Sequence, residues 1–199
     1  MREIILNNTS EREGNFMFKF ITTNQEKIVT ARRHLTPLGI SFQETSLDLT
    51  EIQTTSVVDI VKAKAREAYE KIREPLVVSD HSWNIPALNG FPGPYMKYIN
   101  EWLSTEDFLA LTKRHDDHRI IKTEAVCFTD GTSTQVFTSD LEGVILETPR
   151  GNGLPTMRVV SMRNDGKTVA ECIEEEIDIT DEYRIWEEFA EWYKQNKKE

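Results

Sequence analysis

The chain has little that would tie it to a membrane, a disulfide framework or a nucleic-acid polymer. Its 199 residues include two cysteines, Cys127 and Cys172. They are too few and too far apart for a metal knuckle or a disulfide scaffold, and both are read as reduced thiols of a cytoplasmic protein. No apolar run approaches the ~20 residues that a membrane helix needs. Residues 1–14 hold only the short run Ile4-Ile5-Leu6, which is no signal-peptide core. Asn7-Asn8-Thr9 and Asn8-Thr9-Ser10 fit the glycosylation pattern, but without a secretion signal they read as a polar leader. Positive charge is scarce as well: 24 Lys and Arg stand against 34 Asp and Glu, a net charge of −10. Ten of the acids fall in residues 171–191, beside a single Arg. The basic face needed to grip a nucleic acid is therefore missing. A phosphate-bearing ligand would have to rely on lysines of the N-terminal half, among them Lys27, Lys62, Lys64 and Lys97. The glycines of a Walker loop are absent, and no Gly-x-Gly-x-x-Gly follows the first strand, which argues against dinucleotide chemistry.

What is present suffices for a folded chain: 38% of residues are hydrophobic and 29% charged, enough for one large domain or two small lobes. Residues 17–22 (MFKFIT) alternate as a strand does. Asn24 caps a helix that Pro37-Leu38-Gly39 stops. Residues 40–46 read as a second strand. Ser56, with Asp59 three residues on, opens a helix with Val57, Val61, Ala65, Ala68 and Ile72 on one face. Leu76-Val77-Val78 forms a short buried strand ending at Asp80. A turn-rich stretch over 86–94 leads to a helix from Pro94 to about Leu103, and Ser104 and Thr105 cap another. Residues 119–128 and 134–146 form a hairpin around Asp130-Gly131. Val159-Val160 suggests a further strand, and residues 180–195 an acidic helix with Ile185, Phe189 and Trp192 on one side. Helix and strand alternating, then a hairpin, indicate a mixed α/β sheet.

Three groups of residues carry chemistry. Thr22-Thr23-Asn24-x-x-Lys27 lies at a strand-to-helix junction, where amide groups and the positive helix end make an anion site. Lys27 stands one turn in, on the same face as Asn24. Glu51, before a helix, and Asp80, at a strand end, are hard oxygen ligands of the kind Mg²⁺ takes together with waters and phosphate oxygens. Lys62 is the third candidate. Lys64 and Arg66 beside it are read as solvated, and His81 as a neighbour of the site.

One longer stretch unites these groups. Ala87-Leu88-Asn89-Gly90-Phe91-Pro92-Gly93-Pro94-Tyr95-Met96-Lys97 closely resembles the Ala-Leu-x-Gly-x-Pro-Gly-Pro-Tyr-x-Lys segment of the inosine triphosphate pyrophosphatase family. Thr22, Asn24 and Lys27 match that family's Thr-x-Asn-x-x-Lys, Glu51 its metal-binding glutamate, Lys62 its helix lysine and Asp80 its strand-end acid. Pro149-Arg150-Gly151, Asp165-Gly166 and Ala170-Glu171 follow in the family's order. The resemblance spans residues 17–171. It implies a mixed twisted sheet flanked by helices in two lobes with an active-site cleft between them, as a single domain over 17–199 behind an extension over 1–16. It also implies a Mg²⁺-dependent enzyme hydrolysing nucleoside triphosphates, non-canonical purines among them, to monophosphate and pyrophosphate. Thr22, Asn24, Lys27, Lys62, Ser79 and Arg184 would bind substrate, and Glu51 and Asp80 would hold the metal. Lys27 and Lys62 would assist the reaction, with Asp80 as general base. A cytoplasmic homodimer is expected by the same analogy.

The chain departs from the family at three places. Ser79-Asp80 stands where the family has two acids. Residues 153–158 (GLPTMR) replace a Phe-Gly-Tyr/Trp-Asp-Pro block that packs on the base. Residues 174–184 replace a lysine and Ser-His-Arg that read a 6-keto purine, leaving Arg184 as the stand-in and Tyr183 in place of His. The alternative is thus a catalytically impaired nucleotide-binding relative with altered base specificity. An interaction module using Trp186 and Trp192 as anchors is a third reading.

Overall fold

The computed structural model describes residues 18–179 and 184–196. The expected extension over 1–16, the strand position Met17 and the residues Thr180 to Tyr183 lie outside them. β1 (Phe18–Ile21) leads into α1 (Gln25–Leu35), and a 3-10 turn (Thr36–Leu38) ends at Gly39 with φ 73°, a left-handed conformation that glycine adopts without Cβ strain. β2 (Phe42–Thr45) follows, then α2 (Val57–Ile72), where the Ser56 side chain accepts from the Asp59 N–H. β3 spans Leu76–Asn84, β4 is Pro92–Gly93, and α3 spans Met96–Trp102. α4 (Thr105–Thr112) begins with a full capping box between Ser104 and Asp107. β5 (Arg119–Thr129) and β6 (Thr134–Ile145) form the expected hairpin. A 3-10 turn (Pro155–Arg158), β7 (Val160–Ser161), α5 (Val169–Glu174) and α6 (Ile185–Asn196) complete the described chain.

The strands make one seven-stranded sheet in the order β2-β1-β3-β5-β6-β7, with β4 on the free side of β3. β2, β1 and β3 run parallel, and β3, β5, β6 and β7 alternate in direction. Side chains alternate between the two faces of a strand. Leu76 and Val78 of β3, with Ala125 and Cys127 of β5, pack against Val57, Val61, Ala65 and Ala68 of α2. Val77, Val126 and Phe128 face the opposite way and join the larger core with α1 and α6. Phe189 of α6 is its hub, with ring contacts to Phe18, Phe128, Phe137, Trp186 and Tyr193 at 5.4–6.3 Å between centroids. No helix among the described residues is long and apolar enough to cross a membrane.

Two expectations change. β3 does not end at Asp80: it pairs antiparallel with β5 without interruption from Leu76↔Thr129 to Asn84↔Ile121. The polar run after Val78 concealed this, because a strand paired through its backbone tolerates polar side chains where its face leaves the core. α6 keeps its apolar face, but Trp186 is buried and Trp192 packs on the same core. The two tryptophans are core residues rather than anchors for a partner. α5 gave no apolar periodicity in the sequence because it is only six residues long.

Phe189→Ala removes a fully buried ring. Urea denaturation is expected to show a loss of about 3–5 kcal/mol. A loss under about 1 kcal/mol would mean that α6 does not seal this face of the sheet.

Candidate functional site

The site lies at a gap in the sheet. β1 pairs with β3 only at Leu76 and Val77, and β4 takes up the same side of β3 again at Trp83 and Asn84. Between them β3 is open on that edge, beside the end of the parallel half of the sheet, where α/β sheets present ligands. Lys27 enters this opening from α1. Its Nζ donates to the Ser79 carbonyl oxygen at 2.9 Å, which β1 leaves without a strand partner, and lies 3.5 Å from Asp80 Oδ1. Asp80 belongs to the α2 face by the alternation of the strand, and there Lys64 meets it, Nζ to Oδ2 at 2.7 Å. The same ammonium lies 2.9 Å from Glu51 Oε1.

Asp80 is therefore held between two ammonium groups. Burial by itself would raise its pKa. The charges of Lys27 and Lys64, with hydrogen bonds from Lys64 and the His81 N–H, outweigh burial and hold the carboxyl below the usual range. Burial pulls Lys64 down in turn, but its bonds to Asp80 and Glu51 prevail and its pKa is raised. Both groups are ionised at neutral pH. The side chains of Lys27, Lys64 and Asp80 are 18%, 15% and 21% exposed, whereas Glu51 is 72% exposed and stands at the solvent side. The two carboxylates meet on the Lys64 ammonium, and their oxygens are hard donors of the kind Mg²⁺ takes. Mg²⁺ commonly takes one or two carboxylates and completes its shell with water and phosphate oxygens.

The expected residues thus fall into two sets. Lys27, Ser79, Asp80 and Glu51 come together. Thr22 and Asn24 support them, since Thr22 Oγ1 accepts from the Asn24 N–H and Asn24 Oδ1 accepts from the N–H groups of Glu26 and Lys27. The amides expected to await an anion are therefore already capped by Asn24, which fixes the helix turn that carries Lys27. Lys62 does not join the cluster: it is exposed on α2, and Lys64 occupies the place expected for it. Two positions along a helix turn a side chain by about 200°, so only one of the two lysines can face β3. Arg184 is exposed and does not line the cavity described next. Arg150 bonds Glu171 at 3.2 Å and the Gly166 carbonyl, so the Pro-Arg-Gly turn serves to brace α5.

On the other face of β3 a cavity of about 970 Å³ opens between the sheet and α1, α3, α5 and α6. Asn24, Lys27, Ser79, His81, Trp83, Lys122, Glu124 and Lys97 line its polar side, and Met157, Val169, Ile173 and Trp186 its apolar side. Burial, with the nearby charges of Lys122 and Lys27, pushes His81 down to about 3, so its imidazole is neutral near pH 7. Sequence reasoning read Lys64 as solvated and passed over Lys122 and Glu124. The one available signal was the alternation of Lys122 and Glu124 on a strand that is otherwise mostly apolar, which places both on one face.

A mixed sheet with a cavity beside its parallel edge, two carboxylates and inward-facing lysines defines an α/β protein with a charged site at that edge. A profile of the Ham1 family matches residues 18–181, and the chain belongs to that family. It is 33% identical over 180 residues to a dITP/XTP pyrophosphatase of Methanopyrus kandleri, covering 89% of this chain and 96% of that one. It is 35% identical over 134 residues to an inosine triphosphate pyrophosphatase of Tuber melanosporum, covering 66% and 72%. A HAM1 protein from Coxiella burnetii shares the fold with a TM-score of 0.71 at 19% identity, over 90% of this chain and 100% of that one.

Asp80→Asn leaves Lys27 and Lys64 facing each other with no carboxylate between them. Denaturation is expected to show a loss of about 1–3 kcal/mol, a buried-pair cost reduced by partial exposure. Lys62→Ala should stay within about 0.5 kcal/mol. Equal losses would mean that Asp80 is not the centre of the cluster.

Proposed function

We propose that this chain hydrolyses nucleoside triphosphates to monophosphate and pyrophosphate with Mg²⁺. The observation that supports this most is Asp80 held between Lys27 and Lys64, with Glu51 on the same ammonium, beside a cavity large enough for a nucleotide. The names of the two pyrophosphatases it resembles point the same way.

Each residue has a part in this reading. Lys27 stands in the cavity lining and touches Asp80, so its ammonium is the one placed to meet a phosphate oxygen. Thr22 and Asn24 fix the turn that carries it. Glu51 and Asp80 would hold the metal, and Lys64 draws the two carboxylates together through its contacts with both. Mg²⁺, when bound, supplies positive charge against the phosphate oxygens and acidifies water. Asp80 aims the attacking water at the α-phosphorus and takes up its proton. Its lowered pKa makes it a weak base toward free water. Ser79 presents a hydroxyl to the cavity. A cytoplasmic homodimer belongs to the same reading, by analogy with the family.

The product distinguishes this reaction from others. With Mg²⁺ and a panel of nucleoside triphosphates, pyrophosphate and monophosphate are expected as first products. Orthophosphate with nucleoside diphosphate would exclude the assignment. Triphosphate binding without turnover would favour the impaired, nucleotide-binding alternative.

A second test separates the two lysines of α2. Lys64→Ala is expected to lower kcat/KM by about tenfold or more, since it breaks charge-assisted bonds to both carboxylates, and Lys62→Ala by less than about twofold. The reverse order would return Lys62 to the site.

A further inference from the structure

One wall of the cavity holds charged residues to which the reading above gives no part. On the cavity face of the sheet, His81 lies opposite Glu124 and Trp83 opposite Lys122. Lys122 Nζ stands 3.7 Å from Glu124 Oε2, and both side chains are 12% exposed. The same ammonium sits 5.6 Å from the centroid of the Trp83 ring, and His81 meets that ring edge-on at 6.3 Å. Next to them the Ser79 hydroxyl is buried without a hydrogen-bond partner among the described residues.

Stability gives no reason for this arrangement. Burial drives Lys122 down and Glu124 up, each toward its neutral form, despite their attraction for each other. Apolar residues of similar volume at such a pair are often neutral or stabilising. Further along the same face of β5, Val126 and Phe128 form ordinary core. The polar pair begins where that face leaves the core and enters the cavity. A donor and an acceptor side by side, an aromatic ring and an orphaned hydroxyl, facing the apolar side of the cavity, are the elements of a recognition site.

We propose that Lys122 and Glu124, framed by His81 and Trp83, form the subsite that reads the nucleobase. This rests on the nucleoside triphosphate reading above. Lys122 donates to an acceptor on the edge of the heterocycle, and Glu124 accepts from the donor next to it. Two kinds of edge present that pattern: a keto oxygen beside a ring N–H, and a ring nitrogen beside an amino group. Glu124 makes Lys122 a poor phosphate ligand, because a phosphate drawn to the ammonium would meet a carboxylate within the same few ångströms.

The test compares wild type, Glu124→Gln, Lys122→Met and the charge-free double variant Lys122→Met/Glu124→Leu. kcat/KM is measured on inosine, xanthosine, guanosine, adenosine, cytidine and uridine triphosphates, and inorganic tripolyphosphate serves as an inhibitor that has no base. Each single variant is expected to reduce the ratio between best and poorest base by about tenfold. The inhibition constant of tripolyphosphate should stay within about twofold. The double variant, folded at an unchanged or higher Tm, should lose the same discrimination. Unchanged ratios in folded variants would overturn the proposal. So would an equal loss of tripolyphosphate and nucleotide affinity in Lys122→Met, which would make Lys122 a phosphate ligand. Calorimetry with the matching nucleoside monophosphates needs no turnover and keeps the two readings apart. If no triphosphate is hydrolysed, the hydrolase reading fails. The base subsite then stands if wild type discriminates among monophosphates and Glu124→Gln does not, and falls otherwise.

Discussion

The arrangement of the site depends on the unequal pairing of β3. On one side this strand is bonded to β5 along its whole length, and on the other to β1 for two residues only. The long antiparallel partner keeps the backbone extended past Asp80 and maintains the alternation of side chains. The short parallel partner leaves an edge and a carbonyl oxygen open. Lys27 takes that carbonyl, and with it reaches Asp80. A longer β1 would cover the opening.

The same alternation divides the chemistry between two faces. Asp80 turns toward α2, where Lys64 and Glu51 meet it, and Ser79 and His81 turn into the cavity. Lys27 touches both sides, because it enters by the edge. A ligand that spans the edge, with an anionic group at Asp80 and a larger body in the cavity, is the shape this geometry accommodates. The charges balance as well: two ammonium groups face two carboxylates, so a divalent cation and a polyanion can be added together without leaving a large unpaired charge.

Much of this was legible in the chain. The caps at Asn24, Ser56 and Ser104 were readable because a short polar side chain before an apolar periodic run has few other uses. The Asp130-Gly131 hairpin was readable because such a pair fits a tight turn. The convergence of Lys27, Ser79, Asp80 and Glu51 agreed with motifs quoted in order along the sequence. Lys62 and Lys64 could not be separated that way. Both are lysines on one helix two residues apart, and their spacing does not say which of them faces β3. Lys122 and Glu124 were hidden for a related reason, since charged residues in a strand usually face solvent.

The sequence alone determined the elements, their order and the residue types suited to phosphate and a hard cation, because local propensity, capping and turn chemistry act over a few neighbouring residues. It also determined that α6 has one apolar face. Only the tertiary structure decided that Asn24 caps the amides of Glu26 and Lys27, that α6 buries Trp186 and packs Trp192 on the same core, that Lys64 rather than Lys62 meets Asp80, and that an ion pair of β5 enters the cavity. Each of these depends on which element lies across from which, and that is fixed by sheet pairing and helix rotation between segments far apart in the chain.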